Sequence, residues 1–134
     1  MAPATLRMRP GRFGGQILLT RDQFWPSIRL LGGRELRTLA NGRLFAVVDV
    51  NGDRVVLSPA VSGKLRLIRR LTLEEAFGAL LNRRELTRLE IADEFSPYNA
   101  VYVAALLAAL PDVAVCQHPT RLIFVGHQLF YLDD

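Results

Sequence analysis

Few residues of this chain have the types and spacing that chemistry requires. Cys116 and His118 are two positions apart, so they share one face of a predicted strand, and His127 follows them. The three could supply metal ligands, but a structural zinc site takes four and the chain has a single cysteine. Cys116 and a histidine could also form a nucleophile and its base, although a cysteine in an apolar strand usually packs as a small buried side chain. We therefore predict no metal and no cofactor.

Carboxylates recur on the predicted helices at Glu74, Glu75, Glu90, Asp93 and Glu94. A hydrolase would need them in a cleft with raised pKa values, whereas this spacing is typical of a solvated face or an acidic patch for a basic partner. The lysine that a metal-dependent nuclease would place beside such carboxylates is missing, and neither glycine-rich phosphate-loop pattern occurs. The sequence therefore predicts a protein that is not an enzyme.

Three capping-box patterns predict where helices begin, at Thr20, Thr72 and Thr87. The first helix meets Pro26 in its second turn, where we expect a kink, and ends at Gly32-Gly33. We expect Trp25, Ile28 and Leu31 to face the core. The helix from Thr72 has one apolar face, formed by Leu73, Ala76, Phe77 and Leu80.

A further helix is predicted from Ser96-Pro97 to about Leu110, because serine is a good N-cap and proline suits the first helical position. It carries no charge before Pro111. One of its faces is large and apolar: Val103, Leu106, Leu107 and Leu110. The opposite face is small and smooth: Val101, Ala104, Ala105 and Ala108. A hairpin should follow, with strands Val113–Gln117 and Leu122–Val125.

The run Leu86–Ala92, then Tyr102–Leu110, then Val113–Val115 resembles the winged helix-turn-helix superfamily. The resemblance covers Thr72 to Gly126 and implies a DNA-binding unit whose third helix reads base edges. The candidate base contacts that it implies are Tyr98, Asn99 and Tyr102, with Arg121 on the wing. This helix lacks the Arg, Lys or Gln that commonly reads bases, and the turn before it lacks the usual glycine.

The first half of the chain has the pattern of an antiparallel meander after a strand–helix start. Asn41-Gly42 and Asn51-Gly52 are strong hairpin signals, because both residue types tolerate a positive φ. The predicted strands are Gln16–Leu19, Glu35–Leu39, Leu44–Val50, Arg54–Ser58 and Leu65–Arg69, with one more at Leu129–Leu132. The fold class is therefore α+β: a strand, a helix and a β-meander, then a three-helix winged-helix-like unit with a C-terminal hairpin. The halves are 1–70 and 71–134, or together one compact domain.

Charge is divided unequally between these halves. The net charge is +4, yet residues 1–70 carry +9 and residues 71–134 carry −5, and sixteen of the seventeen basic residues are arginine. Arginine suits bidentate contact with phosphate, although a GC-rich coding sequence would also enrich it. The candidate phosphate contacts are Arg7, Arg9, Arg12, Arg37, Arg43, Arg54, Lys64, Arg66, Arg69 and Arg70. Phe45 is the sole aromatic residue on the strands of the meander, which argues against a base-stacking sheet.

Two function hypotheses follow. The first is a small non-enzymatic nucleic-acid-binding protein, with DNA favoured over RNA, that uses an arginine-rich sheet face and the winged-helix-like unit. The alternative is a protein-interaction or self-association module with opposed basic and acidic halves, which could associate head to tail in a homodimer or with an acidic protein partner. In this alternative the small helix face (Val101, Ala104, Ala105 and Ala108) packs on a partner or on a second copy of the chain. The single cysteine fits a reducing compartment, and no apolar run approaches ~20 residues. We therefore expect a cytoplasmic protein without a membrane partner.

Overall fold

The computed structural model describes residues 20–126. The predicted strands at 16–19 and 129–132, Arg7, Arg9, Arg12 and His127 lie outside this range. The helices are α1 (Arg21–Arg29), α2 (Arg70–Arg83), α3 (Arg88–Glu94) and α4 (Ala100–Ala108). The strands are β1 (Glu35–Arg37), β2 (Leu44–Val50), β3 (Arg54–Pro59), β4 (Arg66–Arg69), β5 (Glu85–Thr87), β6 (Val113–Cys116) and β7 (Arg121–Phe124).

The strands of the described residues form two antiparallel sheets. The first is the meander β1-β2-β3-β4 in chain order, and the second has the order β5-β7-β6, so that β5 pairs with the far strand of the hairpin. The α+β class, the meander and the later helices with their hairpin are therefore confirmed.

The hairpin turns of the meander form, but by a different mechanism from the one expected. Only Gly42 of the Asn41-Gly42 pair has a positive φ, of 65°. In the next turn, the Asn51 side-chain oxygen accepts hydrogen bonds from the amides of Asp53 (2.7 Å) and Arg54 (3.0 Å). Asparagine side chains commonly close turns in this way. The hairpin prediction holds, although neither turn has a positive φ at both its Asn and its Gly.

Helix α2 begins two residues earlier than predicted, and its N-terminus has no side-chain cap. Strand β4 runs directly into it, and the Arg70 amide donates to the Asp53 carbonyl of the neighbouring turn at 2.7 Å. Because the sheet supplies a backbone acceptor at the helix start, the capping box at Thr72 does not form. The predicted apolar face is confirmed, since Leu73, Ala76, Phe77 and Leu80 are all buried.

The capping box of α3 is confirmed: Thr87 Oγ1 accepts from the Glu90 amide at 3.0 Å, and Glu90 Oε1 accepts from the Thr87 amide at 2.9 Å. The predicted start of the next helix at Ser96-Pro97 was wrong. The Ser96 amide donates to the Ile91 carbonyl at 2.9 Å, so Ser96 closes α3. Helix α4 begins only at Ala100, after a turn at residues 97–99.

One continuous cluster of buried side chains joins both halves of the described chain. Its aromatic members include Phe24 and Phe77, which stack with ring centroids 4.4 Å apart. Phe45 of β2 meets Tyr102 of α4 edge-on at 5.1 Å. Trp25 is buried as predicted, and its indole N–H donates to the Asn51 carbonyl at 2.9 Å. The inner face of the four-stranded sheet therefore packs onto the helices, and its outer face remains exposed.

Candidate nucleic-acid-binding surface

The outer face of the four-stranded sheet carries a cross-strand pair of arginines at one end. Arg54 of β3 lies directly opposite Arg69 of β4, while the adjacent pair Val55 and Ile68 is buried on the inner face. Both arginines are exposed. Neither guanidinium group has a hydrogen bond or an ion pair with another residue of the described range 20–126. Two of the predicted phosphate contacts thus lie together and are free to bind an anion.

Further cations lie towards the other end of the sheet. Arg37 pairs with Leu44, and its guanidinium donates to the Gly42 carbonyl at 2.8 Å. Arg43 in the adjoining turn and Lys64 before β4 are exposed. Strand β2 spans the distance between the two ends, which is about 20 Å at ~3.3 Å per residue. The predicted arginine surface is thus divided into two separated groups.

Between these groups the outer face has an apolar centre, flanked by the exposed carboxylates of Asp49, which pairs with Val56, and Glu35, which pairs with Ala46. Val48 and Leu67 are 51% and 52% exposed, and Val56, which pairs with Leu67, is half-buried. Phe45 points inward, so no aromatic ring lies on the outer face of the described sheet. The sequence interpretation missed this apolar centre because it concentrated on charge. The two-residue period of β4 contained the signal, since Leu67 and Arg69 share a face.

Arg66 does not belong to this surface. It pairs with buried Leu57, so it projects from the inner side of the sheet. Its Nη1 donates to Asn99 Oδ1 at 3.0 Å and to the Tyr98 carbonyl at 3.5 Å. Its guanidinium carbon also lies 5.4 Å from the centre of the Tyr102 ring. The structure thus brings one predicted phosphate contact together with all three predicted base contacts on α4 and its preceding turn.

Arg70 is also engaged within the chain. Its Nε lies 2.9 Å from Glu74 Oε2, its Nη1 donates to the Gly52 carbonyl at 3.1 Å, and its guanidinium covers the Trp25 ring at 5.0 Å. These contacts fasten the start of α2 to α1 and to the β2–β3 turn. An anion could reach Arg70 only by competing with them.

Helix α4 has no free face with which to read a groove. The residues from Val103 to Leu107 are all buried. Because successive residues of an α-helix are rotated by about 100°, five consecutive buried residues mean that the helix is enclosed on every side. The first sheet, α2, α3 and the second sheet surround it. The side chains of Asn99 and Tyr102 at its start are engaged by Arg66, whereas Tyr98 is 86% exposed.

The hairpin that corresponds to the wing is likewise held by the chain. Arg121 Nε lies 3.2 Å from Glu85 Oε2 on β5. At the hairpin turn, Gln117 Nε2 donates to the Leu39 carbonyl at 3.0 Å, which ties the turn to the connection between β1 and β2. Arg121 is therefore half-buried and paired, in contrast to the exposed base contact that the sequence predicted.

The small face of α4 is largely covered by the chain itself. Ala104 and Ala105 are 1% and 3% exposed, and Val101 and Ala108 are half-buried. The absence of polar residues on this face led to the prediction that a partner packs there. The first sheet and the rest of the helical unit already fill that role.

Of the groups considered for catalysis, His127 lies outside the described residues. Cys116 is half-buried opposite Arg121. Within residues 20–126, no three His, Cys, Asp or Glu residues lie close enough to hold a metal ion. The two hydrogen bonds from Arg83 to Glu94, at 2.7 and 3.1 Å, lower the pKa of the Glu94 carboxyl. A lowered pKa keeps Glu94 ionised, which is the opposite of what a general acid requires.

None of the described helices combines the length and apolarity needed to cross a membrane. Comparisons of the chain with protein-family models, with curated proteins and with solved structures give no match. By its fold, the chain is an α+β protein whose described residues form two antiparallel sheets.

Proposed function

We propose that this protein is a non-enzymatic nucleic-acid-binding protein that contacts the phosphate backbone through the outer face of its four-stranded sheet. The observation that carries the proposal is the cross-strand pair Arg54 and Arg69, which is exposed and has no acidic partner in the described chain. Like charges directly opposite each other destabilise a sheet. A phosphate bound between the two guanidinium groups would offset that repulsion and would accept charge-assisted hydrogen bonds from both.

The overall charge distribution supports the same surface. Residues 1–70 carry a net charge of +9, so a polyanion is attracted to this half of the chain before any specific contact forms. We expect Arg37, Arg43 and Lys64 to add phosphate contacts at the far end of the sheet. DNA remains the favoured ligand, although backbone contacts of this kind do not by themselves distinguish DNA from RNA.

The winged helix-turn-helix resemblance enters this proposal in a changed role. Two features support a winged-helix-like unit. The elements follow one another as α2, β5, α3, α4, β6 and β7, and the strands of the second sheet have the order β5-β7-β6. Since α4 is enclosed and the hairpin turn is fastened to the first half, we propose that this unit is a scaffold for the sheet. It does not read base edges in the major groove.

Fluorescence anisotropy with a labelled 20-base-pair duplex tests the proposal, over a salt series that begins at ~50 mM. We expect the double variant Arg54→Ala/Arg69→Ala to bind more weakly than the unchanged protein. Its plot of log K against log salt should be shallower by about two, since each lost phosphate contact lowers the slope by about one. Arg83→Ala is the matched control: it removes an exposed arginine that is bound to Glu94 on the helical side.

Two results would refute the proposal. One is an absence of binding by the unchanged protein at ~50 mM salt, where counterion release most favours association. The other is a loss of binding free energy in the double variant that is no more than twice the loss in the single-charge Arg83→Ala control, which would mean that only total charge matters. Circular dichroism of each variant establishes that the fold is retained.

A second candidate function rests on the apolar centre of the same face. Val48 and Leu67 are each about half exposed, and arginines flank them. Protein interfaces commonly have an apolar core, and arginine is enriched in them. In this alternative the sheet binds an acidic protein partner or a second copy of the chain. Light scattering after size-exclusion chromatography would then find a dimer that Leu67→Ser dissociates, while nucleic-acid binding is absent.

A further inference from the structure

Tyr98 has an unusual position among the residues that surround Arg66. Its side chain is 86% exposed, and it makes no ring contact or side-chain hydrogen bond with the described residues. The Arg66 side chain reaches the backbone of the same residue, because Arg66 Nη1 is 3.5 Å from the Tyr98 carbonyl oxygen. An exposed aromatic ring on a residue whose backbone contacts a cation offers a flat apolar surface on the same residue that meets a positive charge.

The neighbours of Tyr98 are much less available. The Asn99 side-chain oxygen accepts a hydrogen bond from Arg66 at 3.0 Å. Bidentate recognition of adenine uses both the oxygen and the nitrogen of an asparagine amide, and Arg66 already occupies one of the two lone pairs of this oxygen. The ring of Tyr102 is covered by the Arg66 guanidinium and is met edge-on by Phe45. Of the three aromatic and amide side chains here, only Tyr98 has a face open to a ligand.

We propose that Tyr98 is a stacking site for one unpaired nucleobase, with Arg66 supplying positive charge for the adjoining phosphate. This inference rests on the proposed function and names the substrate class: nucleic acid with at least one unstacked, unpaired base. A base inside a duplex has both faces covered by its neighbours, so it cannot stack on Tyr98. Stacking on an aromatic ring tolerates every base, because every base has a π-face.

The spacing along β4 allows one nucleic acid to reach both Tyr98 and the paired arginines. Arg66 and Arg69 are three residues apart, which corresponds to about 10 Å along a strand. Strand β4 is an edge of the described four-stranded sheet, and the two arginines project from its opposite faces. A single strand that passes around this edge can therefore contact Arg69 on the outer face and Tyr98 beyond the inner one.

The experiment compares a fluorescein-labelled 15-nucleotide oligo-dT with a 15-base-pair duplex, at one salt concentration near 50 mM. We expect Tyr98→Ala to weaken binding of the single strand by roughly 5- to 150-fold, the range that corresponds to losing one stacked base. Duplex binding should change by less than about twofold. Tyr98→Phe retains the ring and should bind like the unchanged protein. Because the Tyr98 side chain is exposed, neither variant should alter the thermal midpoint.

The outcomes separate this inference from the proposed function. If Tyr98→Ala binds the single strand as well as the unchanged protein does, while Arg54→Ala/Arg69→Ala still loses affinity, the stacking site is refuted and the backbone contacts stand. If Tyr98→Ala weakens single strand and duplex equally, stacking on an unpaired base is also refuted. If the unchanged protein binds neither probe, both proposals fall together.

Discussion

Replacing Phe45 by alanine tests whether the four-stranded sheet and the helical unit fold as one cooperative body. Phe45 is 1% exposed, and its ring joins β2 to Tyr102 on α4 at 5.1 Å. Truncating a buried phenylalanine costs about 3–5 kcal/mol, through lost burial and the cavity left behind. That is a large part of the roughly 5–15 kcal/mol that stabilises a typical domain. If the contact between β2 and α4 belongs to a shared core, both halves should lose this stability together.

The assay is urea denaturation followed by two signals. Trp25, the single tryptophan, reports on α1 and the β2–β3 turn through its hydrogen bond to Asn51. Far-UV circular dichroism reports mainly on α2, α3 and α4, which hold most of the described helical residues. With a urea m-value of about 1.5–2 kcal/mol/M, both midpoints should fall by about 2–3 M. If Phe45→Ala does not fold, Phe45→Leu should lower both midpoints by a smaller and equal amount, because less volume is lost.

A shift in the fluorescence midpoint without an equal shift in the dichroism midpoint would refute this reasoning. It would mean that the halves unfold separately and that the packing of Phe45 on Tyr102 adds little to the stability of α4. The stability of α4 would then depend on the helical unit alone and not on its contact with the first sheet. The scaffold role proposed for the helical unit would lose its support.

Three further predictions concern stability, each measured as a urea midpoint. Thr87→Ala should lower the free energy of unfolding by about 1 kcal/mol, because it removes the α3 cap. Thr72→Ala should lower it little, because no cap forms at that position. Equal effects of the two substitutions would contradict the observed helix starts. Gly33→Ala should cost about 1 kcal/mol or more because Gly33 has a φ of +84°, and a neutral result would mean that this turn adopts another conformation. The Arg83–Glu94 pair holds the Glu94 pKa below its ordinary value of 4.5, so its stabilisation is present above that pH and is lost as the pH falls through the lowered pKa. Glu94→Gln should therefore have a lower midpoint than the unchanged protein at pH 7, and the difference should shrink as the pH falls through the lowered pKa. A difference that stays constant as the pH is lowered would contradict the ion-pair explanation.

The candidate surface was only partly predictable. The two-residue period of a strand shows which side chains share a face, but it does not show which of the two faces is covered by the core. Arg66 and Arg69 are three residues apart, so they must project from opposite sides of β4. Counting both as one basic face overlooked this period. The sequence alone did not reveal which of the two faces inward, since that depends on whether Leu57 or Val56 on the neighbouring strand is covered by helices. The exposed arginine pair and the Arg66–Asn99 contact both follow from that long-range choice.

The helix starts differ in the same way: one is decided by neighbouring residues in the sequence, and others are decided by contacts with distant elements. The Thr87 capping box is closed by residues within one turn, so its sequence pattern was sufficient to place α3. The start of α2 is decided by the Asp53 carbonyl, which another element brings to the Arg70 amide. Ser96 has the residue type of an N-cap, but its amide is already bound to Ile91, and the chain turns again before α4.

The sequence by itself determined the α+β class, the order of the helices, the meander and the apolar faces of α1 and α2, whereas the short strand β5 was not predicted. It could do so because hydrophobic period and turn residues act over a few neighbouring positions. Only the tertiary structure decided that α4 is enclosed by two sheets and two helices, which removes it as a groove reader. Only the tertiary structure, too, left Tyr98 exposed while engaging Asn99 and Tyr102. These outcomes depend on which elements meet in space, and the burial of each face is decided by the partner that covers it.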